Sequence, residues 1–240
     1  MSWYRDYVQR FYASRPGWVH GTKQFYDLCR RSIEQDTRIL EVGPGPSNKT
    51  SRFLAGLGEL DGVDLDAELE NNDALAHAWQ IESDDYPVPE SHYSACVSNY
   101  VVEHVTNPQS HLREIHRVLR PGGRYIFRTP NRYHYVALVA SLTPHWFHQL
   151  VANRLRGLDS EAHDPYPTVY QINSRAAVHK HAEATGFEVE ELHMIESTPS
   201  YGAASRVLFL AGMAYERIVT STERLAGLRA NLLVILRKQP

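Results

Sequence analysis

The chain has 240 residues, with 25 lysines and arginines against 28 aspartates and glutamates, a formal net charge of −3 and 42% hydrophobic residues. That length accommodates one domain with an ample core, the charge offers no general attraction to nucleic acid, and no apolar run approaches the roughly 20 residues that span a bilayer. Cys29 and Cys96 fall in a helix-like and a strand-like context, and Met1 to Asp6 lacks the charged-then-apolar plan of a signal peptide, so a reduced, cytoplasmic protein is expected.

Residues Trp3 to Cys29 are rich in aromatics. Trp3, Tyr7 and Phe11 recur at i, i+4, as do Phe25, Cys29 and Ile33, which predicts two helices broken at Pro16-Gly17. These rings either pack the helices onto the domain or form a lid over a ligand. Arg38 to Val42 reads as a first strand ending in Glu41-Val42, followed by the tight turn Gly43-Pro44-Gly45-Pro46 and a helix from Ser47 to Leu57. Gly43 and Gly45 let the main chain approach a ligand closely, because neither has a Cβ. A strand, glycine turn and helix in that order open a nucleotide-binding α/β fold.

A second strand ends in Asp64-Leu65-Asp66, and Asp64 lies 23 positions after Glu41. That is the spacing of an acid that accepts hydrogen bonds from ribose hydroxyls; Asp66 is the competitor, with an alternative role as a helix N-cap. A short helix is expected from Asp66 to Ala78, a third strand at Trp79 to Glu82, and a proline-marked loop at Ser83 to Pro89. Tyr93 to Asn99 is a fourth strand. A helix follows Asn107-Pro108, with Leu112, Ile115, Val118 and Leu119 on one face; Pro121-Gly122-Gly123 turns the chain into a fifth strand, Arg124 to Arg128. Strands alternating with helices predict a parallel, doubly wound sheet. Beyond Asn131, the segment Arg132 to Tyr170 is aromatic and proline-punctuated. Asn173 to Ala184 reads as a capped helix, Phe187 to Ile195 as a sixth strand, Ala203 to Leu228 as helical with an apolar patch, and Asn231 to Lys238 as a last strand.

Taken in order, Glu41-Val42-Gly43-Pro44-Gly45, Gly62-Val63-Asp64, Tyr86-Pro87-Val88, Val101-Val102-Glu103-His104-Val105, His111 to Gly123 and Thr129-Pro130-Asn131 resemble a class I S-adenosylmethionine-dependent methyltransferase of small-molecule type. The resemblance covers Ile39 to Asn131 and is most specific from Val101 to Gly123. It implies a Rossmann-like, seven-stranded sheet with an antiparallel last strand, an N-terminal helical lid and a helical insertion after strand five. The whole chain would form one domain: lid 1–36, cofactor-binding core 37–131, insertion and substrate cap 132–172, and the C-terminal part of the core 173–240.

The same resemblance implies the cofactor, S-adenosylmethionine, and its residues. Glu41, Gly43 and Gly45 would cradle the methionine half, Asp64 the ribose, Leu65 the adenine face, Glu82 and Ser83 the adenine edge, and Asn99 the methionine amino group through its carbonyl. Two departures stand out: Pro46 occupies the place of the usual third glycine, and Ser94 that of an aspartate. His104, His134 and His163 are candidate bases, His104 having a local structural role as its alternative. Tyr133, Tyr166 and Tyr170 are candidate substrate-orienting groups. The segment from Arg132 either roofs a substrate pocket or is a stabilising excursion. His145, His148, His163 and Asp164 invite a metal reading, but scattered histidines in an aromatic loop more often pack or hydrogen-bond, and no metal is expected. The patch Val207 to Ala214 could be core, a homodimer face or a peripheral membrane contact. The expected activity is methyl transfer to a small-molecule acceptor. Its rivals are a lipid- or sugar-linked acceptor at a membrane surface and a non-catalytic binding protein.

Overall fold

The computed structural model describes residues 2–83, 85–142, 167–196, 198–199 and 205–239. The chain divides into two compact units, each described by itself. The sheet unit comprises Phe25–Pro130, Thr168–His193 and Leu232–Pro240; the helical unit comprises Met1–Gln24, Asn131–Pro167 and Met194–Asn231.

Seven strands form one sheet in the order β3-β2-β1-β4-β5-β7-β6. They are β1 (Thr37–Val42), β2 (Gly58–Asp64), β3 (His77–Gln80), β4 (Tyr93–Asn99), β5 (Leu119–Pro130), β6 (Phe187–Ile195) and β7 (Asn231–Lys238). Strands β1 to β5 pair in parallel, with Glu41 opposite Gly62 and Val97, and Asn99 opposite Arg128. The last strand, β7, is antiparallel, as expected, and it lies between β5 and β6. Ile39, Leu40, Cys96, Val97, Ile126 and Phe127 are all fully buried, as the apolar runs of a parallel sheet covered on both faces require.

Helices α2 (Gly21–Ser32), α3 (Lys49–Ala55), α4 (Pro108–Val118) and α6 (Arg175–Glu183) accompany the sheet. Asn107 caps α4 by accepting from the Ser110 N–H, with Pro108 in the first turn, and Leu112, Ile115 and Val118 are its buried side. Three expectations shift. The third strand begins at His77 and ends at Gln80, the segment after Asp66 is a 3-10 turn (Ala67–Asn71), and Pro121-Gly122-Gly123 lies inside β5. Gly122 has φ +76°, and the β4–β5 register slips between Tyr93 and Ala95. Between those pairs β5 advances five residues, Leu119 to Arg124, against two in β4, and a glycine in the left-handed region lets the chain accommodate the three extra residues, so the strand continues through what reads locally as a turn.

In the helical unit, α1 (Ser2–Val8) runs into a π-helical turn (Gln9–Ala13), and α5 (Tyr135–Leu142) and α7 (Arg206–Thr220) are further helices among the described residues. Phe209 of α7 is fully buried, and the rings of Trp3, Tyr4, Tyr7 and Tyr12 surround it edge-on at centroid distances of 6.3, 5.6, 5.5 and 6.1 Å. Those N-terminal aromatics pack an interior. The predicted helix from Ala203 to Leu228 is two pieces, because α7 ends at Thr220 and a 3-10 turn follows over Glu223–Leu228.

Candidate active site

The turn after β1 is held open by its backbone. Gly43 and Gly45 have φ of +70° and +61°, where a side chain would be strained. A Cβ on Gly43 would run into Val101, whereas Gly45 has nothing within 4 Å. Two asparagines brace the loop where the third glycine is missing. Asn48 caps α3 by accepting from the Thr50 and Ser51 N–H groups, and its amide donates to the carbonyls of Pro44 (2.8 Å) and Pro46 (3.2 Å). Asn72 donates to the carbonyl of Gly45 at 3.1 Å. The residue before an incipient helix is a legible cap signal, so Asn48 could have been found in the sequence. Asn72, from a distant turn, carries no such signal.

Asp64 ends β2 and faces this loop: its Oδ2 accepts from the Gly45 N–H at 2.7 Å and its Oδ1 from the Asp66 N–H at 3.0 Å. Asp66 caps the 3-10 turn through the Glu68 N–H. Leu65 is 47% exposed, and its carbonyl accepts from the Gln80 side chain at 3.2 Å. The Ile81 N–H donates to the Asp64 carbonyl, so the exposed Glu82 and Ser83 follow directly on a tie to Asp64. The Ser83 hydroxyl accepts from the Asp85 N–H in a local turn.

Glu41 is 3% exposed, and its Oε2 has no hydrogen-bond partner. Burial pushes its pKa up to about 7; a bond to Ser51 opposes the rise and the nearby Asp64 carboxylate adds to it. A buried acid with an orphaned oxygen, beside an open glycine turn, is suited to a cationic ligand group. With Asp64 as the acceptor for a diol, this pair of acceptors fits the ammonium and ribose of S-adenosylmethionine.

Asn99 ends β4 with its amide donating to Thr50 (3.2 Å) and its Oδ1 accepting from Arg128 Nε (2.8 Å). The next residue, Tyr100, has φ +62°, a strained position for a bulky side chain, and its ring lies 4.4 Å from the Arg128 guanidinium carbon. Neither Tyr100 nor Arg128 stands out in the sequence. His104 closes the 3-10 turn Val102–His104, half-buried, and the carbonyl of its neighbour Glu103 accepts from the N–H groups of Val169 and Tyr170. His104 and Tyr170 therefore share one tether in the sheet unit. Tyr133 (50% exposed, beside Arg132) and the buried His134 belong to the helical unit. His163 and Tyr166 lie outside the described residues, as do His145, His148 and Asp164. Among the described residues Glu59, Asp61 and His77 are spaced as metal ligands could be, but the Asp61 carboxylate already engages Tyr93 (2.9 Å) and His77 (2.9 Å).

A methyltransferase-domain family model matches residues 4–192. The chain is 29% identical over 124 residues to the ubiquinone/menaquinone biosynthesis C-methyltransferase UbiE of Vibrio cholerae, covering 46% of this chain and 47% of that protein. It is 28% identical over 107 residues to the malonyl-[acyl-carrier protein] O-methyltransferase of Enterobacter lignolyticus, covering 42% of each. The chain thus spans about half the length of the curated relatives it matches. Among solved structures, it resembles an S-adenosylmethionine-dependent methyltransferase from Mesorhizobium loti (16% identity, 90% of this chain, 96% of that one, TM-score 0.55). It also resembles geranyl diphosphate C-methyltransferase from Streptomyces coelicolor, solved with Mg2+, geranyl-S-thiolodiphosphate and S-adenosyl-L-homocysteine (15% identity, 90% of this chain, 75% of that one, TM-score 0.55). At such identities the likeness is one of fold.

Proposed function

The chain belongs to the methyltransferase-domain family, whose class I members use S-adenosylmethionine, and on that premise we propose that it transfers a methyl group from this cofactor to an oxygen, nitrogen or carbon of a small-molecule acceptor, aromatic or partly hydrophobic. The observation that carries the reading is the orphaned, buried Glu41 carboxylate beside the open Gly43–Gly45 turn, with Asp64 reaching the same loop. The cofactor's sulfonium supplies an already electrophilic methyl, so the chain's own task is to bind, align and exclude water. Glu41 receives a positive group, Asp64 accepts from a diol, and Leu65, Glu82 and Ser83 flank an adenine. A base is needed only where the acceptor must lose a proton. Of the three candidate bases we assign His104, which shares a tether with Tyr170 in the sheet unit, with Tyr170 as orienting group. The two curated relatives act on carbon and on oxygen, as their names state, which supports leaving the acceptor atom open.

Calorimetric titration with S-adenosylmethionine and S-adenosylhomocysteine tests the reading. Saturable binding of both is expected, and a protein that binds neither sinks it. A second reading has a specific observation behind it. On α7, Val207, Leu208, Leu210 and Ile218 are 75, 47, 41 and 60% exposed. Such a face suits an acceptor carried in a lipid surface. Co-flotation of the protein with anionic or neutral vesicles favours that version, and its absence from every vesicle fraction removes it.

A further inference from the structure

Gly45 is held in the sheet unit by hydrogen bonds rather than by packing. A Cβ placed there would find nothing within 4 Å, and its φ is +61°. Both neighbours are prolines, which lack an N–H. The two peptides that flank Gly45 therefore present three polar groups: the Pro44 carbonyl, the Gly45 N–H and the Gly45 carbonyl. A side chain takes each of them. Asn48 donates to the Pro44 carbonyl at 2.8 Å, Asp64 Oδ2 accepts from the Gly45 N–H at 2.7 Å, and Asn72 donates to the Gly45 carbonyl at 3.1 Å.

Asn72 is 5% exposed, and the two ends of its amide do separate jobs. Its oxygen accepts from the Ala74 N–H at 3.2 Å and closes a local turn. Its nitrogen carries two protons, and the Gly45 carbonyl and Ser51 Oγ (3.0 Å) use both. The fully buried Ser51 hydroxyl also accepts from the Asn48 amide at 2.9 Å, so the two asparagines converge on one oxygen beneath the loop. The Ser47 hydroxyl accepts from the Asp73 N–H at 2.9 Å, a further tie between the same two segments. The consequence falls on Asp64. Its Oδ1 is held by its own strand end, through the Asp66 N–H, whereas its Oδ2 is held by Gly45. A rotation of the Gly45 backbone would swing that carboxylate, and an acceptor out of line with its donors loses most of its worth.

We propose that Asn72 is a positioning residue of the cofactor site: by holding the Gly45 carbonyl it fixes the Gly45 N–H, and through that N–H it aims the Asp64 carboxylate at the ligand's diol. The inference deepens the methyl-transfer reading and rests on S-adenosylmethionine occupying this turn.

The test is calorimetric titration of S-adenosylhomocysteine into the full chain and four variants: Asp64→Ala, Asn72→Ala, Asn72→Asp, and Asp64→Ala with Asn72→Ala. Asn72→Ala is expected to weaken binding at least about 10-fold and Asp64→Ala about 30-fold. Because one residue acts through the other, the double variant should stay within about 3-fold of Asp64→Ala; independent effects would multiply to about 300-fold. Asn72→Asp keeps the oxygen that meets the Ala74 N–H and removes the donation to Gly45. A residue that only closed its own turn would be rescued by it, and no rescue of binding is expected. Multiplied losses in the double variant, binding by Asn72→Ala within about 2-fold of wild type, or restored binding in Asn72→Asp each overturns the proposal and leaves the methyl-transfer reading standing. A wild-type chain that binds no S-adenosylhomocysteine overturns both. Should Asn72→Ala not fold, Asn72→Asp takes its place in the double variant and decides.

Discussion

Glu41 carries the sharpest consequence at the scale of single residues. In the free protein its pKa sits near 7, so at about pH 6 the carboxyl is largely protonated. A cationic ligand group beside it favours the carboxylate, and binding then releases a proton. S-adenosylhomocysteine titrated at about pH 6 in buffers of different ionisation enthalpy is expected to show release of up to about one proton, fading by about pH 8. Glu41→Gln should abolish the buffer dependence; identical heats in all buffers at both pH values would mean that Glu41 does not face the ammonium. Asp64 makes a different prediction, because its oxygens meet the Gly45 and Asp66 N–H groups as well as any diol. Asp64→Ala should weaken S-adenosylhomocysteine by about 2 kcal/mol, read by the same titration, with charged hydrogen bonds worth about 1.5–3 kcal/mol each. Asp64 was legible from its place at the end of the second strand, 23 positions after Glu41, and Glu41 from the family resemblance. The orphaned state of Glu41 was not, because burial depends on how other elements pack against the strand end rather than on the local sequence.

Among the elements, α7 shows how local pattern and packing part company. Its sequence reads as one dense apolar patch from Val207 to Ala214, yet Phe209 is fully buried while Val207 is 75% exposed. Which side of an apolar helix turns inward is decided by the rings that meet it, here Trp3, Tyr4, Tyr7 and Tyr12. Phe209→Ala should cost about 3–5 kcal/mol in urea-induced unfolding, through lost burial and the cavity left among four rings. Val207→Ala, on the exposed side, should change stability by less than about 0.5 kcal/mol. Near-equal losses would contradict this division of the helix. The bulge in β5 is a similar case. Pro121-Gly122-Gly123 has the composition of a turn, and only pairing with β4 shows that the strand passes through it.

For the whole molecule, two buried groups pull stability in opposite directions with pH. Burial lifts Glu41 from an ordinary 4.5 to about 7, so its contribution is full below pH 4.5 and is lost as pH rises through 7. Burial lowers His134 from 6.5 to about 4, so its contribution is full above pH 6.5 and is lost as pH falls through 4. Each amounts to roughly 3 kcal/mol, at about 1.4 kcal/mol per pH unit. Between about pH 4.5 and 6.5 the two slopes cancel. Relative to the wild-type chain, Glu41→Gln should therefore lose stability on acidification from 6.5 towards 4, and His134→Gln on alkalinisation from 4.5 towards 7. Urea midpoints across that range check both signs. Parallel curves for wild type and both variants would show that neither group is buried as described.

The sequence by itself determined the alternation of strands and helices, the glycine turn, the acids Glu41 and Asp64 close to the ends of the first two strands, and the family resemblance. Each is written in residues close along the chain: apolar runs bounded by turn residues, φ-permissive glycines, acids at strand ends. Tertiary structure decided the rest. Asn72 braces a loop 27 positions behind it, Arg128 seats Tyr100 across the sheet edge, and His134 meets Glu196 after a long excursion of chain. Nothing local encodes those partnerships, because desolvation and hydrogen-bond geometry belong to the assembled interior rather than to any stretch of sequence.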